Sequence, residues 1–168
     1  MSPTTSSDNL LCGELPASRL QQLLAPYHLS VHYLEQDSEL TGSFWGDPEA
    51  GLVADRLYVK ADTPVQSALH EACHYICMEQ SRREQLDTNA GGGYDEENAV
   101  CYLQIILAGW LPECGQQRMM QDMDSWGYSF RLGSARAWFE QDADDARQWL
   151  QRHQLIDAQQ QPTWRLRR

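Results

Sequence analysis

The chain has 168 residues, 42% of them apolar, and a formal net charge of −11. That length suits one domain, residues 1–168, around one core. The charge excludes a nucleic-acid backbone or an anionic membrane as the main partner, because both repel an acidic surface.

The start "MSPTTSSDNLL" lacks the basic region and long apolar run of a secretory signal. No stretch approaches the roughly 18 apolar residues of a membrane span. Five cysteines without a repeating spacing read as reduced thiols, and the expected location is the cytoplasm.

Residues 1–15 are polar and small, and are expected to be flexible. "PASRLQQLLAPY" places Leu20, Leu23 and Leu24 on one helical face, and Pro26 ends it. "LSVHYLEQD" alternates as a strand does, with Val31 and Tyr33 on one face. The turn-rich "LTGSFWGDPEAG" and a second strand signal in "LVADRLYVKAD" suggest one or two hairpins. "TPVQSALHEACHYICMEQSR" has a helical period. Thr63 suits the N-cap, Pro64 the first helical position and Gln66 the third, a capping box. Apolar residues cover most of its circumference, which predicts a buried helix.

The glycines Gly91, Gly92 and Gly93 form a loop. "EENAVCYLQIILAGWLP" is a second buried helix, stopped by Pro112. "ECGQQRMMQDMDSWG" is an amphipathic helix ended by Gly127. "SARAWFEQDADDARQWLQRHQLI" gives one or two more, with Trp138, Phe139, Ala146, Trp149 and Leu150 as core candidates. The basic tail "WRLRR" reads as a solvated end. The fold class is α+β: a small, twisted, mainly antiparallel sheet beside the first buried helix, with a mainly helical C-terminal half and residues 113–168 as a helical extension.

The chemistry lies in His70-Glu71-Ala72-Cys73-His74. Residues four apart on a helix share a face, so His70 and His74 can aim at one point. Zinc accepts two neutral imidazoles, and a catalytic zinc takes a third protein ligand. Glu71, rotated by about 100° from His70, lies beside that point, where a general base can take a proton from the attacking water. Glu96 and Glu97 open the second buried helix. From Glu96 the positions at helical spacing are Ala99, Val100, Leu103 and Leu107, all apolar, so Glu96 shares the inward face and is the favoured third ligand. Glu97 is the alternative. Cys73 and Cys77 follow the same stripe as His70 and read as core residues; a thiolate there would close the site. Tyr94, Tyr102 and His153 are candidates for stabilising an oxyanion. The acidic run "QDADDARQ" lacks the ligand alternation of a calcium loop.

"TPVQSALHEACH" followed by "DEENAVCYLQIILAGWLP" resembles a minimal zincin of the gluzincin type, nearest to the ImmA/IrrE-like metallopeptidase domains. The likeness covers roughly Leu52 to Pro112. It implies one Zn2+ ion on His70, His74 and Glu96, Glu71 as general base, and a twisted sheet beside the active-site helix. Val100 stands where an Asp or Asn often orients a ligand histidine, which leaves that role among Asp87, Asp95 and Glu97. The expected activity is zinc-dependent hydrolysis of peptide bonds, on a peptide or protein substrate with a possible regulatory protein partner. The alternative is a zinc-binding regulatory or interaction domain without hydrolysis. Iron, manganese or cobalt also suits two histidines and a carboxylate.

Overall fold

A computed structural model describes residues 9–35, 49–86 and 92–168. Among them are seven α-helices and three strands. The chain runs α1 (Arg19–Leu24), β1 (Ser30–Tyr33), β2 (Gly51–Val53), β3 (Arg56–Val59), α2 (Val65–Cys77), α3 (Gln80–Glu84), α4 (Tyr94–Ala108), α5 (Gly115–Trp126), α6 (Ala135–Gln141) and α7 (Asp144–Arg152). The class is α+β with a helical C-terminal half. Most of the turn-rich stretch before Glu49, together with Asp87 and Gly91, lies outside the described residues.

The sheet order is β1-β3-β2. β2 and β3 form the expected hairpin, with Leu52 opposite Leu57. β1 adds to the other edge of β3 in parallel, from Ser30 opposite Arg56 to Tyr33 opposite Val59. The sheet is therefore mixed, with one ladder of each kind. Leu52, Leu57 and Val59 are buried, and α2 packs on β2 and β3.

Helix α4 is the hub of the helical half and packs against α2, α5 and α7. Its residues from Ala99 to Ala108 are all buried. They leave no solvated face over that stretch, as a helix surrounded by others requires.

Two sequence expectations for the chain ends are corrected. The segment from Asn9 to Leu15 is docked. Cys12 and Gly13 donate their N–H groups to the carbonyls of Thr63 and Ala61, each at 2.8 Å. Leu10 N–H donates to the buried carboxylate of Asp122 at 2.8 Å. Gly13 has to be glycine for this approach, because a Cβ there would meet Ala61 Cβ at 2.9 Å. The C-terminal tail is docked as well. Trp164 packs between Tyr27 and Trp110, at centroid distances of 5.8 and 5.3 Å. Arg167 donates its N–H to Ile76 O at 3.0 Å.

The capping box at the start of α2 is also corrected. Thr63 Oγ1 accepts from Lys60 N–H at 2.8 Å instead. Leu10 O takes the N–H of Val65 at 2.8 Å. The docked N-terminal segment thus satisfies an orphan donor that a cap side chain was expected to reach. No helix among the described residues is long and apolar enough to cross a membrane.

Leu103 sits fully buried in the middle of α4. Leu103→Ala should lower unfolding free energy by about 2–5 kcal/mol, the cost of a large-to-small change at a packed site. Urea denaturation should show the midpoint falling with the slope unchanged.

Candidate metal site

Eleven of the thirteen residues of α2 are buried, His74 among them. The helix carries His70, Glu71 and His74 into a mostly apolar setting, so each polar side chain needs a partner. The two imidazoles lie one turn apart, with centroids 4.8 Å apart and planes at 82°. Their Nε2 atoms converge on a single carboxylate, that of Glu97, at 3.0 Å for His70 and 3.1 Å for His74. The donor atoms of His70, His74 and Glu97 lie within 4.8 Å of one another. Ligands on a tetrahedral zinc with bonds of roughly 2.0–2.1 Å stand about 3.4 Å apart. Two nitrogens and a carboxylate at this spacing can hold one metal ion.

The carboxylate that meets the histidines is the alternative named from sequence, and the expectation for Glu96 is corrected. Glu96 does face inward, at 6% exposure. However, its oxygens are taken by Arg82, at 2.7 and 2.8 Å, and by Arg167 at 3.3 Å. The apolar spacing behind Glu96 marked burial correctly but could not reveal two arginines waiting there. Gly92 completes this pocket: its φ is +105°, and a Cβ would stand 2.4 Å from Glu96 Oε2. Glu97, one residue on, falls on the more polar stripe that continues through Cys101 and Gln104.

That stripe supplies the group that orients a histidine. His70 Nδ1–H donates to Gln104 Oε1 at 2.9 Å, which leaves Nε2 free to face Glu97. Gln104 is fully buried. Its amide nitrogen donates to Gln66 O at 2.9 Å and to Tyr128 Oη at 3.3 Å. Tyr128 donates in turn to Gln66 Oε1 at 2.8 Å. Gln104 therefore has an acceptor for its donors and a donor for its acceptor, and the His70 ring is held from behind by a network in which the Gln66 amide nitrogen finds no partner among the described residues.

Sequence reading missed Gln104 and Tyr128. Gln104 lies one helical turn beyond Val100, where an orienting residue was sought. Tyr128 follows the end of α5 and shares no spacing with the motif. Of the orienting candidates, Glu97 is instead a member of the donor cluster. His74 Nδ1 is buried and finds no acceptor among the described residues.

The remaining candidates fall elsewhere. Tyr94 is 81% exposed. Tyr102 packs on Phe139 with centroids 4.6 Å apart. His153 packs on Trp149 at 4.2 Å. The phenol beside the site is Tyr128, edge-on to His70 at 5.6 Å. Cys73 and Cys77 are fully buried, and neither thiol joins the gathered donors. Burial pushes both thiols up, which opposes the thiolate a metal needs.

The electrostatics follow from this packing. Burial alone would raise Glu97, but hydrogen bonds from His70 and His74 outweigh it and hold the carboxyl well below the ordinary range. Burial works against a charged His70, yet Tyr128, Cys101 and Glu97 together keep the ring above its ordinary value. Glu71 is half-buried. Desolvation raises its carboxyl; the two imidazoles offset part of that, and Glu97 and Glu49 add to it.

Three outcomes are expected. Glu97→Gln should weaken metal binding by more than the about 10–100-fold typical of outer-shell partners, whereas Glu96→Gln should act mainly on stability. A competitive chelator titration beside a thermal melt separates the two. Gln104→Leu leaves His70 Nδ1 without its acceptor and should cost about 10–100-fold in metal affinity. Metal must displace the proton from His70 Nε2, and that proton is held more tightly than usual. Affinity should therefore rise with pH through the ordinary histidine range, levelling only above it.

Compared with protein-family models, with curated proteins and with solved structures, the chain gives no match, so the reading of its function rests on this geometry.

Proposed function

We propose that the chain is a zinc-dependent peptidase, with zinc held by His70, His74 and Glu97 and with Glu71 as general base. One observation carries the reading: two histidines and a carboxylate converge at ligand spacing, with a desolvated glutamate next to them on the same helix. The donor set fits zinc, since imidazole nitrogen and carboxylate oxygen are both ordinary zinc ligands. The cluster is also accessible. The side chain of Glu97 is 47% exposed, against 17% for His70 and 8% for His74. A substrate can approach from the Glu97 side while Gln104 holds His70 from within.

A zinc ion bound here would polarise a scissile carbonyl and make water a better nucleophile near neutral pH. The chain's own groups do the rest. Glu71 Oε accepts a proton from the attacking water and later delivers it to the departing amine nitrogen. Its raised carboxyl suits both halves of that task, because a stronger base takes the proton more readily and still releases it. Glu97 offsets positive charge at the site. Gln104, backed by Gln66 and Tyr128, keeps His70 in the tautomer that presents Nε2.

A regulatory domain without hydrolysis is the second reading. It draws on Gln104 itself, a neutral amide that adds less basicity to the histidine than a carboxylate partner does.

Elemental analysis should find one zinc per chain, and the readings part on Glu71→Gln. That variant should keep its zinc yet lose about 10²–10⁴-fold in turnover against a broad peptide library. Turnover in the wild type should rise with pH as Glu71 ionises, at a pH above the ordinary glutamate range, because only the carboxylate accepts a proton. Wild type that binds zinc and cleaves nothing supports the regulatory reading. Cleavage by Glu71→Gln at the wild-type rate removes Glu71 from the mechanism.

A further inference from the structure

The tail "WRLRR" forms one wall of a second cleft. The cleft has a volume of about 490 Å³ and lies between the end of α7, the turn after α1 and the last residues of the chain. Arg152, Arg165 and Arg168 line it, with His28, His153 and Trp164. No carboxylate side chain is among its lining residues, in a chain whose net charge is −11.

Arg152, Arg165 and Arg168 are all exposed at the cleft, and none makes an ion pair or hydrogen bond to a described residue. Several arginines elsewhere are paired: Arg19 holds Glu113, Arg118 holds Asp122, and Arg131 holds Asp142. Nor do the cleft arginines cap the nearby helix. The last carbonyls of α7 accept from the N–H groups of His153, Gln154 and Leu155.

Burial first, then Arg167 and Arg152, lower His153 from its ordinary value, while Glu96 and Glu79 act the other way. Glu96 is itself neutralised by Arg82 and Arg167. The walls are set by unusual backbone. His28, Gln154 and Trp164 all border the cleft with φ between 59° and 62°, a conformation that non-glycine residues adopt at cost and that recurs at ligand clamps.

Guanidinium groups match the oxygens of phosphate and carboxylate through paired N–H donors. Three of them suit a multiply charged oxyanion. The volume falls in the small-ligand range of roughly 300–1,000 Å³, which leaves room beside Trp164 and Leu166 for an organic group. The overall acidity disfavours a nucleic acid or an anionic membrane as the source. We infer that this cleft binds a small phosphate-bearing organic molecule through Arg152, Arg165 and Arg168.

The probe is phenyl phosphate, titrated by calorimetry into the zinc-loaded protein in phosphate-free buffer. Wild type should bind it saturably, one per chain, and more tightly than benzoate. Arg165→Gln with Arg168→Gln should weaken binding by about tenfold or more, the effect of losing charge-assisted hydrogen bonds. Zinc content should be unchanged in that variant. Arg152→Gln should weaken binding by itself, so the result does not hang on one variant's folding. Arg136→Gln, an exposed arginine paired with Glu140, should match wild type. Phosphatidic acid vesicles should not sediment the protein.

Several results would overturn the inference. They are absence of saturable binding in wild type, undiminished affinity in Arg165→Gln/Arg168→Gln, and an equal loss in Arg136→Gln. Benzoate binding as tightly as phenyl phosphate would overturn it too, as would sedimentation with the vesicles.

Discussion

Burying a helix that carries two histidines and a glutamate is the constraint on which the rest of this structure depends. Helix α2 is enclosed on most of its circumference, so the polar atoms it brings inward call for partners, and only His74 Nδ1 and the Gln66 amide nitrogen find none among the described residues. The sheet beneath it offers only Leu52, Leu57 and Val59 and cannot meet them. Helix α4 can, because one stripe of it is polar. Glu97 reaches both Nε2 atoms and Gln104 reaches His70 Nδ1. The α2–α4 pairing is thus a packing interface and a polar network at once. Its register follows from the demand that Glu97 and Gln104 stand opposite the two histidines.

The far end of α2 poses a related problem. Its last carbonyls lack intrahelical partners, and two arginines supply them. Arg83 donates to the carbonyls of Tyr75 and Met78, and Arg167 donates to that of Cys77. Arg167 also binds Glu96, which Arg82 grips from the other side. Glu96 is therefore a clamp that ties α3, α4 and the C-terminal tail to the end of the histidine helix. Because Glu97 is the next residue, this clamp fixes the first turn of α4 and with it the carboxylate that faces the histidines. Two adjacent glutamates serve different ends: one is neutralised inside the protein, and the other is left open to a metal and to solvent.

Sequence reading reached the main elements and the histidine pair but stumbled where a partner lies far along the chain. The inward face of α4 was legible from its spacing, and Glu96 does lie on it. Burial and ligation are separate properties of that face. Arg82 and Arg167, 14 and 71 residues away from Glu96, claim the buried carboxylate. The capping box at Thr63 failed for a similar reason: Leu10, from a segment read as flexible, arrives to accept the Val65 N–H. The charge of "WRLRR" points to a solvated tail. Trp164 and Leu166 nevertheless give it enough apolar surface to dock.

Local pattern alone determined the α+β class, the helix that presents His70 and His74 on one face, the place of Glu71 beside them, and a second buried helix opening with two carboxylates. These follow from periodicity and from residue chemistry, which act over a few turns. Only the tertiary structure decided which carboxylate meets the histidines, which side chain orients His70, and where the arginines of the tail gather. Those outcomes depend on competition between partners distant in sequence. A buried charge is satisfied by whichever opposite group the fold brings nearest, and no spacing within the motif records that.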